Sequence, residues 1–289
     1  MEKIALITNY NITDKLAAAA RVAERIGSRA EQILIPAQYK DRIMRNRMHR
    51  SSYTYMPLED IYSEAQLVIV IGGDGSMLES VRRASATGVP VLGINMGRIG
   101  YMTELEMDEI ALIDKVFSGE YYLDERAMLS VKIVSDKGQV RFRGEALNEA
   151  VIANGSTARI IDLELSDKGG VVNTYRADGL VIATPTGSTA YSLSAGGPIV
   201  DPALSCFCVT PVCPHSLLAR PLIFPDTAEL WVKNICSREK VLHLTVDGRS
   251  TAEMYYGDSA IITKSETRAM LLRVKDGGFG SRIRLKKLL

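Results

Sequence analysis

The chain has 289 residues, 46% hydrophobic and 24% charged, the ordinary make-up of a globular protein with room for two modest domains. A formal net charge of +1 gives no global basic field, which argues against nucleic acid as a partner. No apolar run reaches the length of a membrane span, and Met1-Glu2-Lys3-Ile4-Ala5-Leu6-Ile7 reads as a short strand rather than a secretion signal, so the expectation is a cytoplasmic protein without a membrane partner.

Residues 3–8 read as a strand. Caps at Asn11 to Asp14 precede an alanine-rich helix, Leu16 to Ile26, ended by Gly27. Ile33-Leu34-Ile35 is a second strand, stopped by Pro36. Residues 37–56 are polar, basic and without a clear period, and read as a mobile surface excursion or flap. A short helix starts near Met56-Pro57-Leu58.

The apolar run Leu67 to Ile71 predicts a buried strand. Gly72-Gly73-Asp74-Gly75 breaks it, and Met77, Leu78 and Val81 then recur at helical spacing to about Ala86. A strand–glycine–helix turn offers backbone N–H groups at a positive helix end, which suits phosphate. Asp74 repels phosphate, so it needs another reason to be there: taking the proton of a hydroxyl under phosphorylation, holding a metal, or simply capping the helix. The turn is neither a P-loop, since no Lys follows, nor a dinucleotide fingerprint, since Leu78 holds the third glycine place.

Val89 to Ile94 is the next strand, leading into Asn95-Met96-Gly97-Arg98-Ile99-Gly100. Residues 106–117 carry Ile110, Ile113, Val116 and Phe117 at helical spacing, closing at Gly119. Alternating strands and helices predict a mostly parallel sheet whose ligands lie beyond the strands' carboxyl ends.

Near Arg126 the character changes to short β-branched segments: 128–135, 139–146, 149–153, 160–166, 170–176, 179–183, 206–210, 229–233, 241–246, 261–264 and 269–274. Turns such as Asp136-Lys137-Gly138 and Asp167-Lys168-Gly169-Gly170 separate some of them. This predicts an all-β sandwich as second domain. Within it, Leu180 to Ala183 runs into a hydroxyl-dense stretch, Thr184 to Ser194, ending at Gly196-Gly197-Pro198. Ser188, Thr189, Ser192 and Ser194 offer donors and Tyr191 a ring, a set suited to ribose, amide or adenine; the plainer reading is a capped helix start. Cys206, Cys208, Cys213 and His215 raise zinc, but the Cys206-Phe207-Cys208-Val209 alternation puts two thiols on one strand face as small hydrophobes, and no metal ligands are assigned.

Four stretches in order resemble the NAD kinase family: Gly72-Gly73-Asp74-Gly75; Asn148-Glu149; Asp178-Gly179 with Thr184-Pro185-Thr186-Gly187-Ser188-Thr189-Ala190-Tyr191; and Cys213-Pro214-His215-Ser216-Leu217-Leu218-Ala219-Arg220-Pro221. The resemblance covers about the whole length, to Val246-Asp247-Gly248-Arg249. Gly-Gly-Asp-Gly alone also occurs in diacylglycerol and sphingosine kinases and, in related form, in phosphofructokinases.

The resemblance implies phosphorylation of the 2′-hydroxyl of the adenosine ribose of NAD to give NADP, by ATP or polyphosphate, with Mg²⁺ or Mn²⁺ carried mainly by the nucleotide. It implies an α/β domain over 1–126, joined by a returning segment 268–289, and a β-sandwich NAD-binding domain over 127–267. Asp74 resembles the proton acceptor; Gly72, Gly73 and Gly75 the donor-phosphate turn; Asn148 and Glu149 the pair that holds adenosine. Arg176 and Asp178 fall at NAD contacts often supplied by a neighbouring subunit, and Arg159 at a contact of variable type. Thr189, Ala190, Tyr191, Ser192, Leu193 and Ser194 match the lining of the adenine and nicotinamide pockets. Ser76 replaces a usual Thr, and Arg249 stands where the family pattern has Gln at a dinucleotide contact. His215 reads as structural. A homo-oligomer, dimer or tetramer, is implied. A lipid or sugar kinase of the same superfamily and a non-catalytic dinucleotide-binding module remain the alternatives.

Overall fold

The structure is a computed structural model, and it describes the chain except residues 98–99, 156–158, 239–240, 279 and 281–289. The chain divides into two compact units, Met1–Glu125 together with the chain from Ala269 on, and Arg126–Arg268.

The first unit is built on five parallel strands, β1 (Lys3–Ile7), β2 (Gln32–Pro36), β3 (Tyr53–Met56), β4 (Leu67–Gly72) and β5 (Val91–Asn95), in the order β5-β4-β1-β2-β3. Every residue of β4 is buried, as its unbroken apolar run requires of a strand covered on both faces. Helices α1 (Thr13–Ile26), α2 (Lys40–Arg45), α3 (Leu58–Glu64) and α4 (Asp74–Ser85) connect the strands. Leu16, Ala19, Val22, Ala23 and Ile26 of α1 share one core cluster with Ile4, Leu6, Ile33, Ile69 and Leu92.

Residues 37–56 are not the expected excursion. They form a 3₁₀ turn (Ala37–Tyr39), α2 and the edge strand β3, which pairs with β2 from Ile33↔Tyr53 to Pro36↔Met56. Ile43 is the one buried residue of α2, so that helix is too short to print a period, and aromatic contacts such as Tyr10–Tyr39 pin the segment instead.

Residues 106–117 also depart from a single helix. A two-residue strand β6 (Leu105–Glu106) is followed by a 3₁₀ turn (Ile110–Ile113) and α5 (Asp114–Ser118), which ends at Gly119 with φ +79°. Arg25 and Arg29 both reach Asp114 across the sheet's helix layer. The returning chain closes this unit: Leu271 pairs in parallel with Val91, and Leu272 and Val274 join the core. Arg273 lies buried between Glu104 and Asp124, each at 3.1 Å.

The second unit holds β7 (Tyr122–Val134, entering from the first), β8 (Val140–Ala146), β9 (Glu149–Ala153), β10 (Ile161–Asp167), β11 (Gly170–Ala177) and β12 (Gly179–Ala183). A short helix α6 (Tyr191–Ser194) precedes β13 (Cys206–Val212), β14 (Leu222–Pro225), β15 (Leu230–Asn234), β16 (Val241–Val246), β17 (Ser250–Tyr255) and β18 (Ser259–Arg273, whose residues from Ala269 on belong to the first unit). One antiparallel sheet has the order β14-β13-β12-β9-β16-β17. The other runs β11-β10-β15-β18, with β7 beside β18 and β8 beyond. Leu163, Leu165, Val232 and Ile262 of one sheet pack with Ile152, Leu180, Ile182, Leu242 and Leu244 of the other, which makes the sandwich.

Alternation sends Phe207 and Val209 into that core, while Cys206 and Cys208 face the opposite side with Val181, Ala183 and Val200. Burial pushes the Cys208 thiol up to about 12, as suits a packing residue rather than a thiolate ligand. β14 and β17 lie at the sheet's two edges and were not legible as strands. β18 is one strand rather than two, because Ser265 and Thr267 at its polar centre bond Glu145. Among the described residues no helix is long and apolar enough to cross a membrane.

Candidate active site

The first constellation lies where β4 enters α4. Gly73 is the N-cap, and Asp74 is the first helical residue. The Asp74 carboxylate therefore does not cap its own helix. It accepts from the Tyr101 N–H at 2.7 Å on one oxygen and the Met102 N–H at 3.0 Å on the other. The loop after β5 thus holds the carboxylate in one orientation. A Cβ at Gly100 would overlap Asp74 Oδ1, so this loop can approach only because residue 100 has no side chain. Burial, and then the charge of Asp74, push the Tyr101 phenol up.

The glycines of the turn are not equivalent. A Cβ at Gly72 would lie 2.6 Å from Ser76 Oγ, so Gly72 is needed for packing under the helix. A Cβ at Gly73 or Gly75 would meet nothing within 4 Å. Both stand at a helix N-terminus, where a phosphate is stabilised by oriented N–H groups and the helix dipole. The turn and the glycine loop that ends at Gly100 are legible in the sequence, whereas the backbone donors Tyr101 and Met102 are not.

The second constellation is in the sandwich unit, at the entry to β9. Glu149 is 7% exposed, and its Oε2 has no hydrogen-bond partner. Burial, reinforced by the negative charge of Asp247, pushes its carboxyl up to about 7, against an opposing hydrogen bond from the Tyr191 backbone. A buried, unsatisfied carboxylate oxygen is an acceptor awaiting a donor. Asn148 is held through its carbonyl, which accepts the Thr184 N–H at 2.9 Å. A Cβ at Gly187 would overlap that same carbonyl oxygen.

The hydroxyl-rich stretch divides into two sets. Ser188 is buried and donates to the Pro185 carbonyl at 2.7 Å, and Ser192 is buried against Thr210 Oγ1 at 3.1 Å, so both serve the local fold. Thr189 Oγ1 donates to the Thr186 carbonyl at 3.2 Å. Ala190 and Leu193 are half-buried and Ser194 is exposed. The Tyr191 ring is 44% exposed and available for stacking.

Arg176 is exposed on β11, 4.0 Å from Asp162, and its carbonyl accepts the His215 N–H at 2.8 Å. Asp178 is half-buried, and its N–H bonds the Val212 carbonyl at 2.9 Å. Arg249 is exposed, following the Asp247-Gly248 turn beside Asn148 and Glu149, whereas Arg159 is exposed in a loop next to residues outside the description. Glu149 and Tyr191 are therefore brought together, and Arg249 stands on the turn that adjoins them.

Residues 4–121 match the ATP-NAD kinase N-terminal domain and residues 147–274 the ATP-NAD kinase C-terminal domain. The class is thus a two-domain kinase, an α/β unit followed by a β-sandwich. The chain is 37% identical over 287 residues to an NAD kinase of Symbiobacterium thermophilum, covering 99% of each chain. It is 36% identical over 279 residues to one of Citrifermentans bemidjiense, covering 96% of this chain and 95% of that one. This chain belongs to the NAD kinase family.

Two solved structures share the fold. Yeast NADH kinase complexed with NADH has a TM-score of 0.88 at 23% identity, over 98% of this chain and 86% of that chain. An NAD kinase from Archaeoglobus fulgidus in complex with ATP has a TM-score of 0.71 at 23% identity, over 99% and 96%.

Proposed function

We propose that the chain transfers the terminal phosphoryl group of ATP to the 2′-hydroxyl of the adenosine ribose of NAD, giving NADP and ADP. The observation that carries this reading is Asp74, a carboxylate at the open start of α4 whose two oxygens are each anchored by a backbone N–H. A carboxylate oxygen has more than one acceptor site, so one remains for the hydroxyl proton. As the oxygen–phosphorus bond forms and the bond to ADP breaks, Asp74 takes that proton. Gly73 and Gly75 let backbone approach the donor phosphates. Glu149 accepts from ribose hydroxyls, Asn148 fixes the adenosine, and Tyr191 stacks on it. Thr189, Ala190, Leu193, Ser194, Arg176, Asp178, Arg159 and Arg249 complete the dinucleotide contacts, while Ser192, buried against Thr210, supports that stretch from within.

Among the described residues no group of three or more His, Cys, Asp or Glu side chains stands together to hold a metal. A divalent cation, Mg²⁺ or Mn²⁺, would come with the triphosphate and supply charge neutralisation there. The reading includes polyphosphate as a second donor, a homodimer or homotetramer, a cytoplasmic location, and the sandwich unit as the NAD-binding domain.

Gly100→Ala places a methyl group against Asp74 and displaces the carboxylate. Steady-state kinetics should show kcat lower by ~10²-fold, the usual effect of a misplacement near 1 Å, with KM for NAD little changed.

Glu149 gives a pH signature. With its carboxyl held near 7 in the folded protein, the fold binds this proton more tightly than the unfolded chain does. The stability it contributes is full below the ordinary glutamate range and is lost as pH rises through about 7. NAD should reverse that preference, because ribose hydroxyls donate to the ionised form. NAD affinity should therefore rise with pH between about 6 and 8, with proton release on binding, and Glu149→Gln should flatten both. Calorimetry in buffers of different ionisation enthalpy reads the proton; a flat wild-type profile would contradict the ribose role.

The function is tested with purified protein, NAD, ATP and Mg²⁺, following NADP with a dehydrogenase specific for it, and polyphosphate replacing ATP in a parallel reaction. NADP accumulating with ATP is expected. No product at saturating substrates would overturn the reading and favour a different acceptor or a non-catalytic binder.

A further inference from the structure

Asp247 follows β16 and begins the three-residue turn, 247–249, that leads into β17, where Val246 pairs with Ser250. Its φ is +50° and that of Gly248 is +67°, and the Arg249 N–H closes the turn on the Val246 carbonyl at 3.1 Å. Asp-Gly is a preferred pair for such a turn. The turn itself would be equally content with Asn or Gly at 247. What neither could supply is the carboxylate's further service.

Asp247 is 6% exposed. One of its oxygens accepts the Leu147 N–H at 2.8 Å. The other accepts the Asn148 N–H at 2.9 Å and the Glu149 N–H at 3.1 Å. Three successive backbone donors thus converge on one side chain that lies 98 to 100 residues away in sequence. The carbonyl side of the same tripeptide is held separately. Thr184 Oγ1 donates to the Leu147 carbonyl at 2.5 Å, the Thr184 N–H donates to the Asn148 carbonyl at 2.9 Å, and the Glu149 carbonyl accepts the Asp247 N–H at 3.0 Å. The backbone from 147 to 149 is therefore bonded through all its N–H and C=O groups, and none of these bonds uses the side chains of Asn148 or Glu149.

We infer that Asp247 is a positioning residue of the acceptor site, fixing the directions in which Asn148 and Glu149 present their side chains to the adenosine of NAD. This inference rests on the proposed function and deepens it. Asn at 247 would keep the size and the turn but replace one oxygen with an amide that donates, setting donor against donor at a buried backbone N–H. Gly at 247 would keep the turn without strain and remove the carboxylate altogether.

The test uses the full chain as wild type, Asp247→Asn, Asp247→Gly, Asn148→Ala and the double variant Asp247→Asn with Asn148→Ala. Melting curves establish that each is folded, with Asp247→Gly available should the Asn variant fail. Both 247 variants are expected to raise KM for NAD at least tenfold while KM for ATP stays within twofold. The double variant should fall short of the product of the single effects, because both act through one tripeptide. Unchanged KM for NAD in a folded variant, equal changes in both KM values, or multiplicative single effects would overturn the inference. Failure of the function itself would look different: the wild type would make no NADP.

Discussion

Asp74→Asn is expected to lower kcat by ~10²–10⁴-fold, the range for a positioned general base, while the dissociation constant for NAD stays within about threefold. The separation of the two effects follows from the division of labour. The proposed adenosine contacts are the side chains of Asn148, Glu149 and Tyr191, none of which depends on Asp74. The chemical step needs an acceptor for the hydroxyl proton, and an amide cannot take one. Asn also disturbs the site locally, because both carboxylate oxygens accept backbone N–H groups and an amide nitrogen must face one of them. A modest loss of thermal stability should therefore accompany the loss of turnover. Single-turnover kinetics at saturating NAD and ATP isolate the chemical step; near wild-type turnover would remove Asp74 from the role of base.

Arg273→Met is expected to produce the largest loss of stability. Arg273 is 2% exposed and arrives on the returning chain. It donates to Glu104, to Asp124 and to the Met102 carbonyl, each at 3.1 Å. Removing one partner from a buried charge cluster leaves the others desolvated without compensation, at a cost of ~3–5 kcal/mol. At about 2–4 °C per kcal/mol for a protein of this class, Tm should fall by roughly 6–20 °C. Activity should suffer too, since Met102 donates its N–H to Asp74 while its carbonyl is held by Arg273. Neutralising the whole cluster, Arg273→Met with Glu104→Gln and Asp124→Asn, should recover much of the loss, because no buried charge is then left unpaired. If the single variant melts with the wild type, the cluster does not stabilise this unit.

These two residues also mark what was legible in the sequence. Asp74 stood out because its signal is local: a fully buried apolar strand, glycine punctuation and an acid at the helix start. Its supports did not, since Tyr101 and Met102 lie 27 and 28 residues further on and present only backbone. Asp247 was read as part of a motif, but its bonds to residues 147 to 149 leave no local trace. The alternating strands of the sandwich printed period two and were found. β14 and β17 were missed because edge strands bury few side chains. Residues 37–56 read as an excursion in the sequence because a helix of six residues with one buried position carries no period. The serines of the 184–194 stretch were legible as hydroxyls, but whether a hydroxyl faces outward or bonds its own backbone, as Ser188 does, is decided by packing.

The central claim is that phosphoryl transfer ends on the 2′-oxygen of the adenosine ribose with Asp74 as the proton acceptor. ³¹P NMR of a reaction of NAD with ATP and Mg²⁺ tests it most directly, with the wild type, Asp74→Asn and a 2′-deoxyadenosine analogue of NAD run side by side. The account predicts one new phosphate monoester resonance with the pyrophosphate of NAD intact for the wild type, almost none for Asp74→Asn, and none with the analogue. A monoester formed on the analogue, or formed by Asp74→Asn at the wild-type rate, would contradict it.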